Sequence, residues 1–331
     1  MLMLPAAESS DWIDRKMSHG KRHPAIWAVV IITFISLMIF FISSILVSFL
    51  PSSQETYGNI VFPYFFVLLL PVVLPGVPLK LLLIFTLLVF SISFAYMIIE
   101  TFREHRRDPL ATPVGFFIIV ASAAYFLVFA ISLIEEYSGV AIGGTTISNE
   151  LVGKPFLTYS SLIFAPIAEE TGFRILPLGL LTFFLVRHRM KSSHHSIIED
   201  PCLASQIVQS FLVPGRFRRT NGIYSLTAMD WAFVAITAGL FGFAHVLFGI
   251  WSIGKILTAA IVGVVLAVGF LKFGPYVDIP IHWVFNGVLT LYYVYSPLES
   301  ATILFALWLI VTGIVSLLYI AAYLSKHGLR I

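Results

Sequence analysis

Cysteine is almost absent. Cys202 is the only one in 331 residues, which excludes an intrachain disulfide and leaves the redox compartment unspecified. Charge is scarce too: Asp, Glu, Lys and Arg make up 11% of the chain, against about 25% in soluble globular domains. That excludes an ordinary water-soluble fold. No H-E-x-x-H motif occurs, and neither G-x-S-G nor G-x-G-D appears in the apolar segments, so zincin, intramembrane serine and intramembrane aspartyl chemistries lack their signatures. No internal repeat or low-complexity tract stands out.

What is present in their place is hydrocarbon. Apolar residues make up 59% of the chain and mean hydropathy is +0.95. Segments long enough to cross a bilayer, roughly 20 residues, lie at 26–50, 78–102, 114–135, 156–186, 228–250, 255–273, 276–295 and 300–324. The pattern predicts an all-α polytopic membrane bundle of about eight transmembrane helices. The expected organisation is a cytoplasmic segment over 1–25, a transmembrane domain over 26–324 with its motif core at 156–295, and a cytoplasmic tail over 325–331. The first apolar run is longer than a signal-peptide core and is expected to be retained. A further apolar stretch, 60–76, is short and contains Pro63, Pro71 and Pro75. Proline removes a backbone donor and kinks helices, so this stretch is expected to be re-entrant or interfacial.

Basic residues support that choice. With a cytoplasmic N-terminus and eight spans, the clusters at 15–22, 103–107 and 187–219, with Lys272, Lys326 and Arg330, all fall inside. Lys80, Lys154 and Lys255 fall outside, and Arg174 lies within a span. Counting 60–76 as a ninth span would put the basic loops outside, against the positive-inside bias. The largest soluble insertion, 187–227, holds His194-His195 and a loose alternation over 197–213 that fits a surface helix. It reads as an orientation-setting loop near anionic lipid. The adjacent histidines face different directions and have no partner at zinc-site spacing.

Three polar clusters interrupt the spans: Glu169-Glu170-x-x-x-Arg174, Phe241-x-x-x-His245 and His282-x-x-x-Asn286. Ionisable groups are expensive in a bilayer and mark functional sites by default. Glu170 and Arg174, at i,i+4, share a helix face, while Glu169 points about 100° away and is available to another partner. Histidine suits His245 to accept and return a proton, although a core histidine that is simply hydrogen-bonded is the plainer reading. His282 and Asn286, again at i,i+4, present two donors to a developing oxyanion or simply bond between helices. Gly239, Gly242 and Ala244 would let a second helix approach closely. Glu135-Glu136 has no arginine four residues on, Val140 standing there instead, and reads as a solvated helix terminus.

In order and on separate helices, these three motifs resemble those of the CAAX-protease and bacteriocin-processing family, which contains the type II CAAX prenyl endopeptidases. The match covers roughly 156–295. The resemblance implies an eight-helix intramembrane glutamate endopeptidase that removes three residues after a prenylated cysteine, without metal or other cofactor. It implies that Glu169 and His245 activate the water, that His282 and Asn286 form the oxyanion hole, and that Glu170 with Arg174 supports Glu169, Phe241 being a further supporting residue. The expected partners are a prenylated or otherwise membrane-associated peptide and the bilayer, with no nucleic acid. The alternatives are a non-prenylated peptide substrate, as in bacteriocin processing or immunity, a zinc site of Glu169, His245 and His282, and a non-enzymatic proton relay. Transporters often show paired, interrupted halves, and no such symmetry is evident. One tension follows from the spans. At 1.5 Å per residue, His245 lies about 25 Å and His282 about 10 Å from the cytoplasmic ends of their helices, so the seventh helix must begin below the surface. Gly274-Pro275 would permit that.

Overall fold

The computed structural model describes residues 24–47, 58–62, 72–77, 79–104, 108–143, 155–192, 202–247, 251–294 and 299–327. Most of the 1–25 segment, His194-His195 and the last residues of the tail lie outside the described residues.

The protein is a polytopic all-α membrane bundle. In chain order the helices are α1 (Pro24–Val47), α2 (Leu79–Glu104), α3 (Pro113–Tyr137), α4 (Pro155–Glu170), α5 (Leu176–Ser192), α6 (Leu203–Leu212), α7 (Pro214–Thr220), α8 (Ala228–Leu247), α9 (Lys255–Lys272), α10 (Pro275–Val294) and α11 (Glu299–His327). Six of these, α1, α2, α3, α8, α9 and α11, are long and apolar enough to cross a membrane by length and composition. The two remaining rods, α4–α5 and α10, carry the acidic and His–Asn motifs and lie at the predicted segments 156–186 and 276–295. The outer surfaces of the candidate spans suit lipid: Ile31, Ile35, Ile39, Ile42 and Leu46 project from α1, and Leu304, Leu307, Val311 and Leu318 from α11. An apolar exterior of this extent is stable only against hydrocarbon or a partner.

The stretch that breaks the helical pattern is a two-stranded antiparallel pair, β1 (Gly58–Phe62) and β2 (Val72–Val77), with Phe62 opposite Val72 and an irregularity between Gly58 and Ile60. Pro75 sits in β2, where it removes one ladder donor.

Aromatic packing fixes α10 in the bundle. Trp283 is fully buried, and its ring lies 5.9 Å from Phe41 of α1 and 5.8 Å and 6.2 Å from Phe90 and Phe94 of α2. Edge-to-face contacts of this kind are favoured by the ring quadrupole, and here they anchor the residue next to His282. At the start of α3, Thr112 accepts from Gly115 N at 3.2 Å ahead of Pro113, a side-chain cap followed by proline at the first helical position.

Among the described residues of the 187–227 insertion, two short helices follow the end of α5, namely α6 and α7. The helix expected within 197–213 is α6, which buries Gln206 and Ser210 and turns Leu203, Ile207, Val208 and Leu212 outward. Polar-in, apolar-out is the pattern of a helix lying at the lipid interface. α7 is tied to α8 by a buried pair: Arg218 donates from Nη1 and Nη2 to the two carboxylate oxygens of Asp230 at 2.7 and 2.6 Å. α6 and α7 lie over the α9–α10 turn. Gly215 abuts the Lys272 carbonyl, while Gly274, at φ +131°, abuts the Leu212 carbonyl. A side chain at either position would collide with backbone. The start of α10 is therefore covered by α6 and α7.

Candidate active site

The acidic motif sits where the α4–α5 rod changes pitch. Thr171–Ile175 forms a π turn, closed by the Leu176 N–H donating to the Thr171 carbonyl. Pro177 follows and has no N–H to give the Phe173 carbonyl four residues back, which loosens the turn ahead of it. π turns recur at functional sites, and this one begins directly after Glu170.

Glu170 is fully buried and its Oε1 takes two donors. Arg174 Nη1 donates at 3.1 Å within the rod, and His282 Nδ1 of α10 donates at 2.7 Å. With Nδ1 committed to Glu170, Nε2 is the nitrogen that His282 presents to the rest of the site. It lies 3.4 Å from Glu169 Oε2 and 3.4 Å from Asn286 Nδ2. Glu169 is buried, and among the described residues its Oε2 has no hydrogen-bond partner. Glu169, Glu170, Arg174, His282 and Asn286 thus form one contiguous group. The Glu170–Arg174 pair stands behind His282 rather than behind Glu169.

Phe241 of α8 is the hub on the other side. Its ring is edge-on to His282, with centroids 5.6 Å apart, and to His245 at 4.7 Å, while the Arg174 guanidinium lies 4.2 Å from its centroid. The guanidinium is buried and the ring face is electron-rich, which is the arrangement a cation–π contact needs. His245 Nδ1 pairs with the Phe241 carbonyl at 2.8 Å, one turn back on its own helix. Nε2 is thereby left as the outward nitrogen. Among the described residues no hydrogen bond or ion pair joins His245 to Glu169. The two imidazoles flank one aromatic ring, and Lys255, His282 and Arg174 all act electrostatically on His245.

Two charged groups escaped the sequence reading. Asp278 is fully buried one turn before His282, within electrostatic reach of Glu170 and Arg174. Its Oδ1 accepts from Ile279 N at 2.7 Å, while Asp278 Oδ2 and Glu170 Oε2 have no hydrogen-bond partner among the described residues. The i,i+4 spacing from Asp278 to His282 was the available signal. Lys255, assigned by sequence to a loop outside, begins α9 with its ammonium 4.8 Å from the Trp251 ring and within electrostatic reach of Glu169. Its position ahead of an apolar run gave no hint of this. A third acid, Glu135, departs from its expected role: its Oε2 is buried near Gly254, the residue that precedes α9, so only Glu136 remains a solvated terminus.

Chemically, the group offers a buried carboxylate oxygen without a donor, an imidazole nitrogen and an amide facing it, and a second imidazole one ring away. Such a set can hold a water and take its proton. Among the described residues, no three His, Cys, Asp or Glu side chains are grouped to hold a metal ion; this includes Glu169, His245 and His282, whose ring nitrogens are turned to separate partners. No family model matches the chain, and neither a curated protein nor a solved structure matches it.

Proposed function

We propose that this protein is an intramembrane glutamate-type endopeptidase of the CAAX-processing kind, removing the C-terminal tripeptide that follows a prenylated cysteine. The observation that carries the reading is the orphan Oε2 of Glu169, 3.4 Å from the outward nitrogen of a histidine whose other nitrogen is held by Glu170. In the proposed reaction a water bound at Glu169 loses a proton to that carboxylate, and its oxygen attacks the scissile carbonyl carbon. His245 relays the proton. The oxyanion accepts hydrogen bonds from Asn286 Nδ2 and from His282 Nε2 when the latter carries hydrogen. Collapse of the tetrahedral species breaks the C–N bond, and the leaving amine takes the proton back. Removing one such oxyanion donor costs about 3–4 kcal/mol of transition-state stabilisation. The orientation that goes with this reading places both termini and the 187–227 segment in the cytoplasm.

The site lies within the apolar span of the bundle, which suits a substrate anchored by a lipid tail, while its polar walls can keep the water that hydrolysis consumes. A second reading rests on a different feature, the row of titratable groups Glu170, His282 and Glu169 with Asp278 close by, which a proton relay would also use. Purified protein given a farnesylated C-terminal peptide distinguishes the two. The protease reading expects release of the tripeptide, lost in Glu169→Ala with the thermal melt unchanged. No cleavage of prenylated or plain peptide, together with proton flux in reconstituted vesicles, would replace it with the relay.

A further inference from the structure

Away from the acidic site, the basic end of the bundle holds a cavity of about 250 Å³ between α2, α7, α9 and the start of α10. Four cations line it, each delivered from a helix end or a surface helix: Arg103, Arg216, Arg219 and Lys272. Among the described residues that line it, the one carboxylate is Glu100, which accepts from Arg103 Nη1 at 3.1 Å. Arg219 Nη1 donates to the Lys272 carbonyl at 3.4 Å, Lys272 Nζ lies over the Phe116 and Phe273 rings at 5.2 and 5.7 Å, and Tyr96 packs edge-on to Tyr276 at 4.6 Å, within electrostatic reach of Arg216.

We infer that this cavity binds a phosphate-bearing group, and that it does so whether or not the protein is a protease. Arginine forks and a lysine point charge are the donors that phosphate recognition uses, and two tyrosine rings at the rim are common where one end of a site is apolar and the other wet. The volume fits a headgroup better than a drug-sized ligand, for which pockets run to about 300–1,000 Å³. α6 supplies the link to lipid. It presents Leu203, Ile207, Val208 and Leu212 outward, and Val213 at its end lines the cavity. A lipid whose chains lie along α6 therefore has its phosphate at the mouth. Basic pockets between helices at the cytoplasmic face bind anionic headgroups by the same physics.

The test uses the full chain in detergent, with dioleoyl phosphatidic acid, dioleoyl phosphatidylcholine and inorganic phosphate as probes, read by native mass spectrometry and by thermal melting. The expected result is retention of phosphatidic acid over phosphatidylcholine. Affinity should fall about tenfold in Arg216→Gln and in Lys272→Gln, as the loss of one charge-assisted contact implies. It should survive in Arg216→Lys, which keeps the charge, and in Lys191→Gln, an exposed cation outside the cavity. Phosphatidic acid binding without a response to inorganic phosphate identifies a lipid headgroup as the source. Inorganic phosphate raising the melting temperature to the same extent identifies free phosphate, and either outcome supports the site. The inference is overturned if folded Arg216→Gln and Lys272→Gln bind as the unmutated protein does. It is equally overturned if the unmutated protein prefers neither phosphatidic acid over phosphatidylcholine nor phosphate over chloride, a comparison that needs no variant.

Discussion

Glu169 and Glu170 are neighbours in sequence, yet they stand in different electrostatic positions. Glu170 Oε1 is saturated by Arg174 and His282, whereas Glu169 Oε2 has no donor among the described residues. Removing the partner of a buried charge leaves that charge uncompensated, which costs about 3–5 kcal/mol. Arg174→Met is therefore expected to lower the melting temperature sharply and to release His282 from its fixed orientation, as a thermal unfolding series in detergent would show. Asp278 separates charge from hydrogen bonding. Asp278→Asn removes a buried charge and keeps an oxygen to accept from Ile279 N, so the melt should stay at or above that of the unmutated chain. Asp278→Leu takes that acceptor away and should destabilise by about 1–3 kcal/mol. Equal melts for the two variants would mean that the Ile279 bond adds nothing to stability.

Helix contacts set where these side chains can go. α8 and α9 approach so closely at Gly242 that a side chain there would strike the Ile256 carbonyl and Ala260, while Gly239, one turn earlier, has open space around it. The sequence marked both as small residues suited to close approach; only Gly242 is used that way, since periodicity alone does not say which face meets a helix and which meets lipid. Gly242→Val should force α8 off α9, move Phe241 and His245 together, and cost about 1–3 kcal/mol as an overpacked contact. Gly239→Val, at a lipid-facing position, should leave both melt and peptide cleavage unchanged. Comparable losses in the two variants would show that the α8–α9 contact does not fix the histidine. The π turn at Thr171–Ile175 illustrates the opposite limit of sequence reading. Pro166 and Pro177 flank it visibly, but the extra residue in the turn is a property of backbone closure and no side-chain pattern announces it.

For the molecule as a whole, six spans were legible because apolar runs of bilayer length have few other uses; the predicted segments 156–186 and 276–295 are helical too but are not among the helices long and apolar enough to cross a membrane. Asp278 and Lys255 were not legible, because their importance lies in partners over a hundred and about eighty-five residues away in sequence, respectively Glu170 and Glu169. What the structure adds is a consistent pair of ends. The turn after α3 and the one before α9 meet through Ser252 N donating to the Gly143 carbonyl and Gly254 N donating to the Ala141 carbonyl. Arg103, Arg216, Arg219 and Lys272 converge at a separate cavity. Basic loops are retained on the cytoplasmic side, so the proposed orientation puts the arginine-rich end inside. Cys202 makes that measurable: it is the sole cysteine, it is exposed, and it immediately precedes α6. A membrane-impermeant maleimide should leave intact cells unlabelled at Cys202 and label it fully once they are permeabilised. Moving the single thiol to the other end, as Ser138→Cys in a Cys202→Ser background, should reverse the pattern, because Ser138 lies just past α3 beside the Gly143–Ser252 contact. Labelling of Cys202 in intact cells would turn the bundle over, and with it the leaflet from which the phosphate cavity is reached.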